Sequence, residues 1–168
     1  MSDISFFYGV RVGLDVPRSI AYAGYRLKSV YVDLLDKYVS FWSSVGDQAF
    51  HEYLVELARA EYLKVFSDDV VYCFSRYDGG SVPDISVSKP FLFPNVSAYF
   101  EIETGLKRSL LALELRLARA GRRGIWTYVI VPNRDVKARY KRVLPAFHGR
   151  IFTLRDFVFS LTRESAFF

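Results

Sequence analysis

The amino-acid sequence predicts an α/β fold in which a mixed central β-sheet is flanked by helices and preceded by a helical extension. Three observations carry that expectation. Between residues 69 and 103, three short runs rich in β-branched and aromatic side chains follow one another, separated by turn residues. Residues 106–120 then place Leu106, Leu110, Leu113 and Leu117 on one helical stripe. Residues 125–131 are almost wholly apolar, the composition of a strand covered on both faces. Successive strands followed by a helical crossover to a buried strand combine antiparallel and parallel pairing in one sheet.

Residues 4–14 read as a short strand, with Phe6, Phe7 and Tyr8 beside Gly9 and Gly13. From Pro17 and Ser19 to about Trp42, Leu27, Val30, Leu34, Leu35 and Tyr38 recur at three- and four-residue steps, which predicts a helix. Its aromatic stripe, Tyr22, Tyr25, Tyr31, Tyr38 and Trp42, is expected to pack in the core, with a dimer face as the alternative. Gly46-Asp47 breaks this helix, and Asp47 can cap the next, whose Phe50, Leu54, Leu57 and Tyr62 line one side. Val70-Val71-Tyr72-Cys73-Phe74 predicts a strand that ends at Asp78-Gly79-Gly80, with Cys73 as core filler. A second strand, residues 84–88, follows Pro83; Pro90 and Pro94 bracket a loop; the third strand covers 96–103. Gly121 and Gly124 end the leucine-striped helix, and the buried strand at 125–131 follows. A basic helix near 135–142, a short strand at 150–154 and a helix from about Arg155 complete the order. Residues 1–45 are thus an extension packed on an α/β domain of residues 46–168, the two forming one compact unit.

Composition narrows the function classes. With 168 residues, 51% hydrophobic and 24% charged, the chain is globular rather than disordered. Cys73 is the only cysteine, which excludes an internal disulfide framework and a Cys-rich zinc site. His51 and His148 are the only imidazoles, and neither stands at a spacing that suggests a triad. No glycine-rich phosphate loop or dinucleotide fingerprint is present. No apolar stretch approaches the roughly 18 residues of a membrane helix, and Met1-Ser2-Asp3-Ile4 lacks a signal-peptide leader, so an intracellular, cytoplasmic chain is expected. Gln48 is the single glutamine and Asn95 and Asn133 the only asparagines, a thermophile pattern that suits a thermophilic microbe or one of its mobile elements.

Charge is unevenly distributed. Residues 1–103 carry 9 Lys/Arg against 14 Asp/Glu, whereas residues 104–168 carry 14 against 4. An acidic front that gathers cations beside a basic back that attracts a polyanion is one reading; ordinary solvation of helix faces is the other. Glu101 and Glu103, two positions apart in a strand, share a face, while Phe100 and Ile102 point to the opposite one. Asp84, at the start of the preceding strand, can reach the same end of the sheet. Three hard oxygen donors there suit Mg²⁺ or Mn²⁺; the bland alternative is a solvated strand edge.

Pro83-Asp84, then Glu101-Ile102-Glu103 and nearby Lys107, together with the order helix, three strands, helix, strand over residues 47–131, resembles the PD-(D/E)xK nuclease superfamily, the restriction-endonuclease-like fold. Asp84 and Glu101 lie 17 positions apart. The resemblance covers about half of the chain and implies an α-β-β-β-α-β core and metal-dependent hydrolysis of a DNA phosphodiester. It implies Asp84, Glu101 and Glu103 as metal ligands, with Glu61 as an accessory acid. The sequence departs from the family pattern in placing Glu103 where lysine is commonest. Lys107 is the favoured migrant over Lys89, whose odd spacing from Asp84 turns it away; otherwise Glu103 itself binds a second ion or orients the attacking water. Arg108, Arg116, Arg119, Arg122, Arg123, Arg134 and Lys137 are the expected nucleic-acid surface. The expected partners are DNA, with RNA left open, and a second copy of the chain. A nuclease-fold protein without catalysis, acting as a nucleic-acid-binding or assembly module, is the alternative. A purely protein-binding factor is the third option.

Overall fold

The structure, a computed structural model, describes residues 10–12, 20–22, 25–43, 48–74, 82–89, 96–107 and 109–163. Strands β1 (Val10–Val12), β2 (Ile20–Tyr22), β3 (Tyr25–Val32) and β4 (Lys37–Ser43) build a four-stranded antiparallel sheet in the order β1-β4-β3-β2. This overturns the helix expected over residues 17–42. The stretch is dominated by side chains that fit a pleated surface better than a helix, Val30, Tyr31, Val32, Tyr38, Val39 and Phe41. Within it Val30 and Val32, and across the hairpin Val39 and Phe41, are buried at two-residue spacing. Leu34 and Leu35, which completed the helical pattern, lie in the turn between β3 and β4, where Asp36 takes the left-handed conformation (φ 51°). The aromatic stripe dissolves accordingly. Tyr31 and Tyr38 are cross-strand neighbours packed edge to face at 5.5 Å, and Trp42 is exposed. The side chains of Tyr22 and Tyr25, the rest of the strand expected at 4–14, and Asp47 lie outside the described residues.

The second sheet has the order β5-β6-β7-β8-β9, from β5 (Val70–Cys73), β6 (Ile85–Lys89), β7 (Val96–Ile102), β8 (Trp126–Val131) and β9 (Ile151–Thr153). β5, β6 and β7 pair antiparallel; β7, β8 and β9 pair parallel. Helices α1 (Gln48–Val65), α2 (Leu111–Arg122), α3 (Arg134–Val143) and α4 (Leu154–Leu161) flank it, so the expected mixed sheet with flanking helices is observed. Over residues 48–131 the described order is helix, three strands, helix, strand. No described helix is long and apolar enough to cross a membrane.

Two apolar layers sandwich the sheet. On one face Phe100, Ile102, Tyr128 and Ile130 pack against Phe50, Tyr53, Leu54, Ala58 and Tyr62 of α1 and Phe157 and Leu161 of α4. The same cluster takes in Val32, Val39 and Phe41, and the Phe41 ring stacks on Phe50 at 4.9 Å, so the N-terminal sheet shares the main core. On the other face Leu113 and Leu117 of α2 and Tyr140 of α3 cover Val129 and Val131. The alternation in β8 follows from its two-residue period, and its burial on both sides is the expected one. Cys73, by contrast, is exposed, because β5 is an edge strand left largely uncovered.

Asn133 joins the two halves. Its Oδ1 accepts the Val136 N–H at 3.0 Å as the cap of α3, and its Nδ2 donates to the Tyr31 carbonyl at 2.8 Å. Asn133→Ala is expected to lower stability by about 1–3 kcal/mol, combining a lost cap and a lost hydrogen bond; urea unfolding midpoints measure it.

Candidate active site

The site forms where β6 begins and β7 ends. Asp84 stands one step before the Ile85–Phe100 pair, abreast of Glu101 on the neighbouring strand. Its Oδ2 accepts the Ile102 N–H at 2.7 Å, and its Oδ1 lies 3.1 Å from His51 Nε2 in the first turn of α1. Beyond the last β7 residue, the Glu103 N–H still donates to the Ile130 carbonyl at 2.9 Å, which keeps Glu103 in line with the sheet. The next turn depends on Gly105: φ is +82°, and a Cβ there would stand 2.6 Å from a Val136 methyl. Arg139 donates to the Gly105 carbonyl, so the segment after Glu103 is clamped onto α3.

Glu101 and Glu103 lie on the α2 side, opposite Phe100 and Ile102, as alternation predicts. Both are almost fully buried, at 3% and 1% exposure. Arg116 of α2 reaches both: Nε is 3.3 Å from Glu101 Oε1, and a terminal nitrogen is 3.5 Å from Glu103 Oε1. The Tyr140 hydroxyl donates to Glu103 Oε2 at 3.2 Å.

Crowding acids in a dry place shifts their titration. Burial, reinforced by the charge of Asp84, pushes Glu101 up to about 8, against the opposing pull of Arg116. Burial also raises Glu103, opposed by Lys107, Arg116 and the Tyr140 hydroxyl. For Asp84 burial acts upward too, but the His51 hydrogen bond and charge, the Ile102 N–H and Arg116 outweigh it and hold the carboxyl below its ordinary range. Asp84 is thus the acid of the site most disposed to carry charge, while burial disfavours charge on Glu101 and Glu103.

Asp84 and Glu101 offer two hard oxygen donors side by side, each oxygen with lone pairs beyond its present contact, and their repulsion is what a divalent ion between them relieves. Hard oxygen donors of this kind are the ones Mg²⁺ and Mn²⁺ prefer. Glu103 is turned instead to Arg116 and Tyr140, and among the described residues no group of three or more His, Cys, Asp or Glu side chains stands together as a metal site. In place of three carboxylates converging on one point, each acid meets protein donors: Asp84 meets His51 and the Ile102 N–H, Glu101 meets Arg116, and Glu103 meets Arg116 and Tyr140.

The other expected residues separate. Lys107 sits near enough to Glu103 to influence it, on a non-helical segment, since α2 starts at Leu111 rather than at residue 106. Lys89 ends β6, at the opposite end of the strand from Asp84. Glu61 lies about 15 Å further along α1 than His51 and pairs with Lys64 at 2.8 Å, away from the acids. Arg116 is largely buried and points inward, to Glu101 and Glu103, while bordering the groove of Arg119 and Arg123. Arg119 and Arg123 line a shallow groove with Pro83, Tyr99, Glu101 and Arg116, and Arg122 is exposed beside them. Arg134 borders a separate cavity of about 510 Å³ with Tyr31, Tyr38 and Arg155. Lys137 pairs with Asp156 at 3.0 Å. Arg108 lies outside the described residues.

The sequence gives His51 no visible partner and does not single out Tyr140. They stand 33 positions before Asp84 and 37 after Glu103, distances at which no local pattern links them. No protein-family model, no curated protein and no solved structure matches this chain.

Proposed function

We propose that the protein hydrolyses phosphodiester bonds in nucleic acid with the help of Mg²⁺ or Mn²⁺, on a core related to the restriction-endonuclease-like fold. One observation carries this reading: Asp84, 13% exposed, and the buried Glu101 stand opposite each other on neighbouring strands at the end of the sheet, and Glu101 borders a groove walled by Arg116, Arg119 and Arg123. Asp84 and Glu101 hold the ion, which when bound supplies positive charge to offset that building on the phosphate. His51 and the Ile102 N–H fix the orientation of the Asp84 carboxylate. Lys107 orients the attacking water and Glu103 beside it, as carboxylate, takes its proton. Arg119 and Arg123 bind the backbone phosphates on either side.

The test is cutting of plasmid, single-stranded and branched DNA with Mg²⁺ or Mn²⁺, against a chelator control. Ion-dependent cutting supports the reading; none with any divalent ion and any of these substrates overturns it. The second reading, a nuclease-fold protein that binds nucleic acid without cutting, is favoured by the Arg116 contacts to both glutamates. It requires tight, salt-sensitive DNA binding without cleavage. In either reading Arg119→Ala with Arg123→Ala is expected to flatten the dependence of log affinity on log salt by about 2 units for duplex DNA. Fluorescence anisotropy across a salt series measures this; an unchanged slope removes the groove from the binding surface.

A further inference from the structure

Arg116 shares one guanidinium between two buried carboxyl groups, and it does so loosely. A bidentate Arg–carboxylate pair closes to about 2.7–2.9 Å, whereas the two contacts here are 3.3 and 3.5 Å. The buried Nε has no aligned hydrogen-bond acceptor among the described residues. The same side chain is 18% exposed and borders the groove of Arg119 and Arg123. A guanidinium held this way offers positive charge to the acids without filling their coordination, and it borders the groove that Arg119 and Arg123 line.

We propose that Arg116 is the resident counter-charge of Glu101 and Glu103, one that gives way when a divalent ion binds at Glu101 and then turns to a phosphate in the groove. The inference rests on the nuclease reading for the ion it names. Its physical basis is that two cations against the same buried carboxyl group repel each other strongly, so the guanidinium and the ion compete. Arg116 is therefore a positioning residue whose removal strengthens ion binding. A residue with a merely structural role would leave ion binding unchanged or weaken it.

The experiment is calorimetric titration of Mn²⁺ into the full chain and into its Arg116→Ala, Arg116→Gln and Arg116→Lys variants, with Glu101→Gln as the site control and melts recorded without the ion. Arg116→Ala and Arg116→Gln are expected to bind Mn²⁺ on the order of tenfold more tightly than the native chain, and to melt lower without it. Arg116→Lys, which keeps a cation but not the fork, should fall between them, and Glu101→Gln should bind little. If Arg116→Ala does not fold, the glutamine and lysine variants carry the comparison. Should the native chain bind Mn²⁺ and the neutral variants bind it equally or more weakly, the Arg116 proposal fails while the nuclease reading stands. Should no protein in the series bind Mn²⁺ even at millimolar concentration, both fail.

Discussion

Asp84→Asn is expected to reduce ion-dependent cleavage on the order of 10²–10⁴-fold, corresponding to several kcal/mol of lost charge stabilisation, with the fold retained. Asparagine keeps an oxygen to accept the Ile102 N–H, so the junction of β6 and β7 survives. Alanine would not: it leaves the amide of a fully buried residue without its acceptor, at about 1–3 kcal/mol. What asparagine removes is the charge. That charge attracts the ion, and it is also the chief electrostatic reason that Glu101 resists ionisation. Asp84→Asn should therefore lower the titration of Glu101 even as it removes activity. Cleavage at the native rate in this variant would take Asp84 out of the chemistry; an unshifted Glu101 titration, followed by carboxyl NMR, would show that the two acids do not interact.

Glu101→Gln is expected to stabilise the ion-free protein in alkaline solution and leave it unchanged in acid. The folded chain holds the Glu101 proton up to about pH 8, whereas an unfolded glutamate loses it near 4.3. Between those values the folded state binds more protons than the unfolded one, so stability falls as pH rises and levels off above about 8. A glutamine resembles the protonated carboxyl and contributes no such loss. Melting curves should coincide near pH 4 and separate progressively toward pH 8, by about 2–4 °C for each kcal/mol in a chain of this size. Glu103, raised in the same direction, remains in the variant and leaves a residual slope. Mn²⁺ should raise the melting temperature of the native protein at pH 8 and not that of the variant. Parallel pH profiles for the two proteins would refute the assignment of the raised titration to Glu101.

Much of the second sheet was legible because its signals are local. Two-residue alternation separated Phe100 and Ile102 from Glu101 and Glu103, and the apolar run in β8 announced burial on both faces. The N-terminal sheet was misread because Leu27, Val30 and Leu34 satisfy a helical period by coincidence, while the β-branched and aromatic residues between them satisfy the pleat. Hairpin pairing decided between the two, since only the strand arrangement places Val39 and Phe41 in the core with α1. Arg116 shows a different failure. Its place in a basic run suggested surface charge, but helix α2 packs with that residue turned toward the acids.

The sequence by itself determined the order of strands and helices of the second sheet, the shared face of Glu101 and Glu103, and the place of Asp84 one strand away. These follow from periodicity, which acts over a few residues. Only the tertiary structure decided how the acids are neutralised. His51, Arg116 and Tyr140 come from three different helices and meet Asp84, Glu101 and Glu103 across gaps of 33, 15 and 37 positions in the chain. Such partners are selected by burial, because a carboxyl group removed from water must find a donor, a cation or a proton wherever the packed helices supply one.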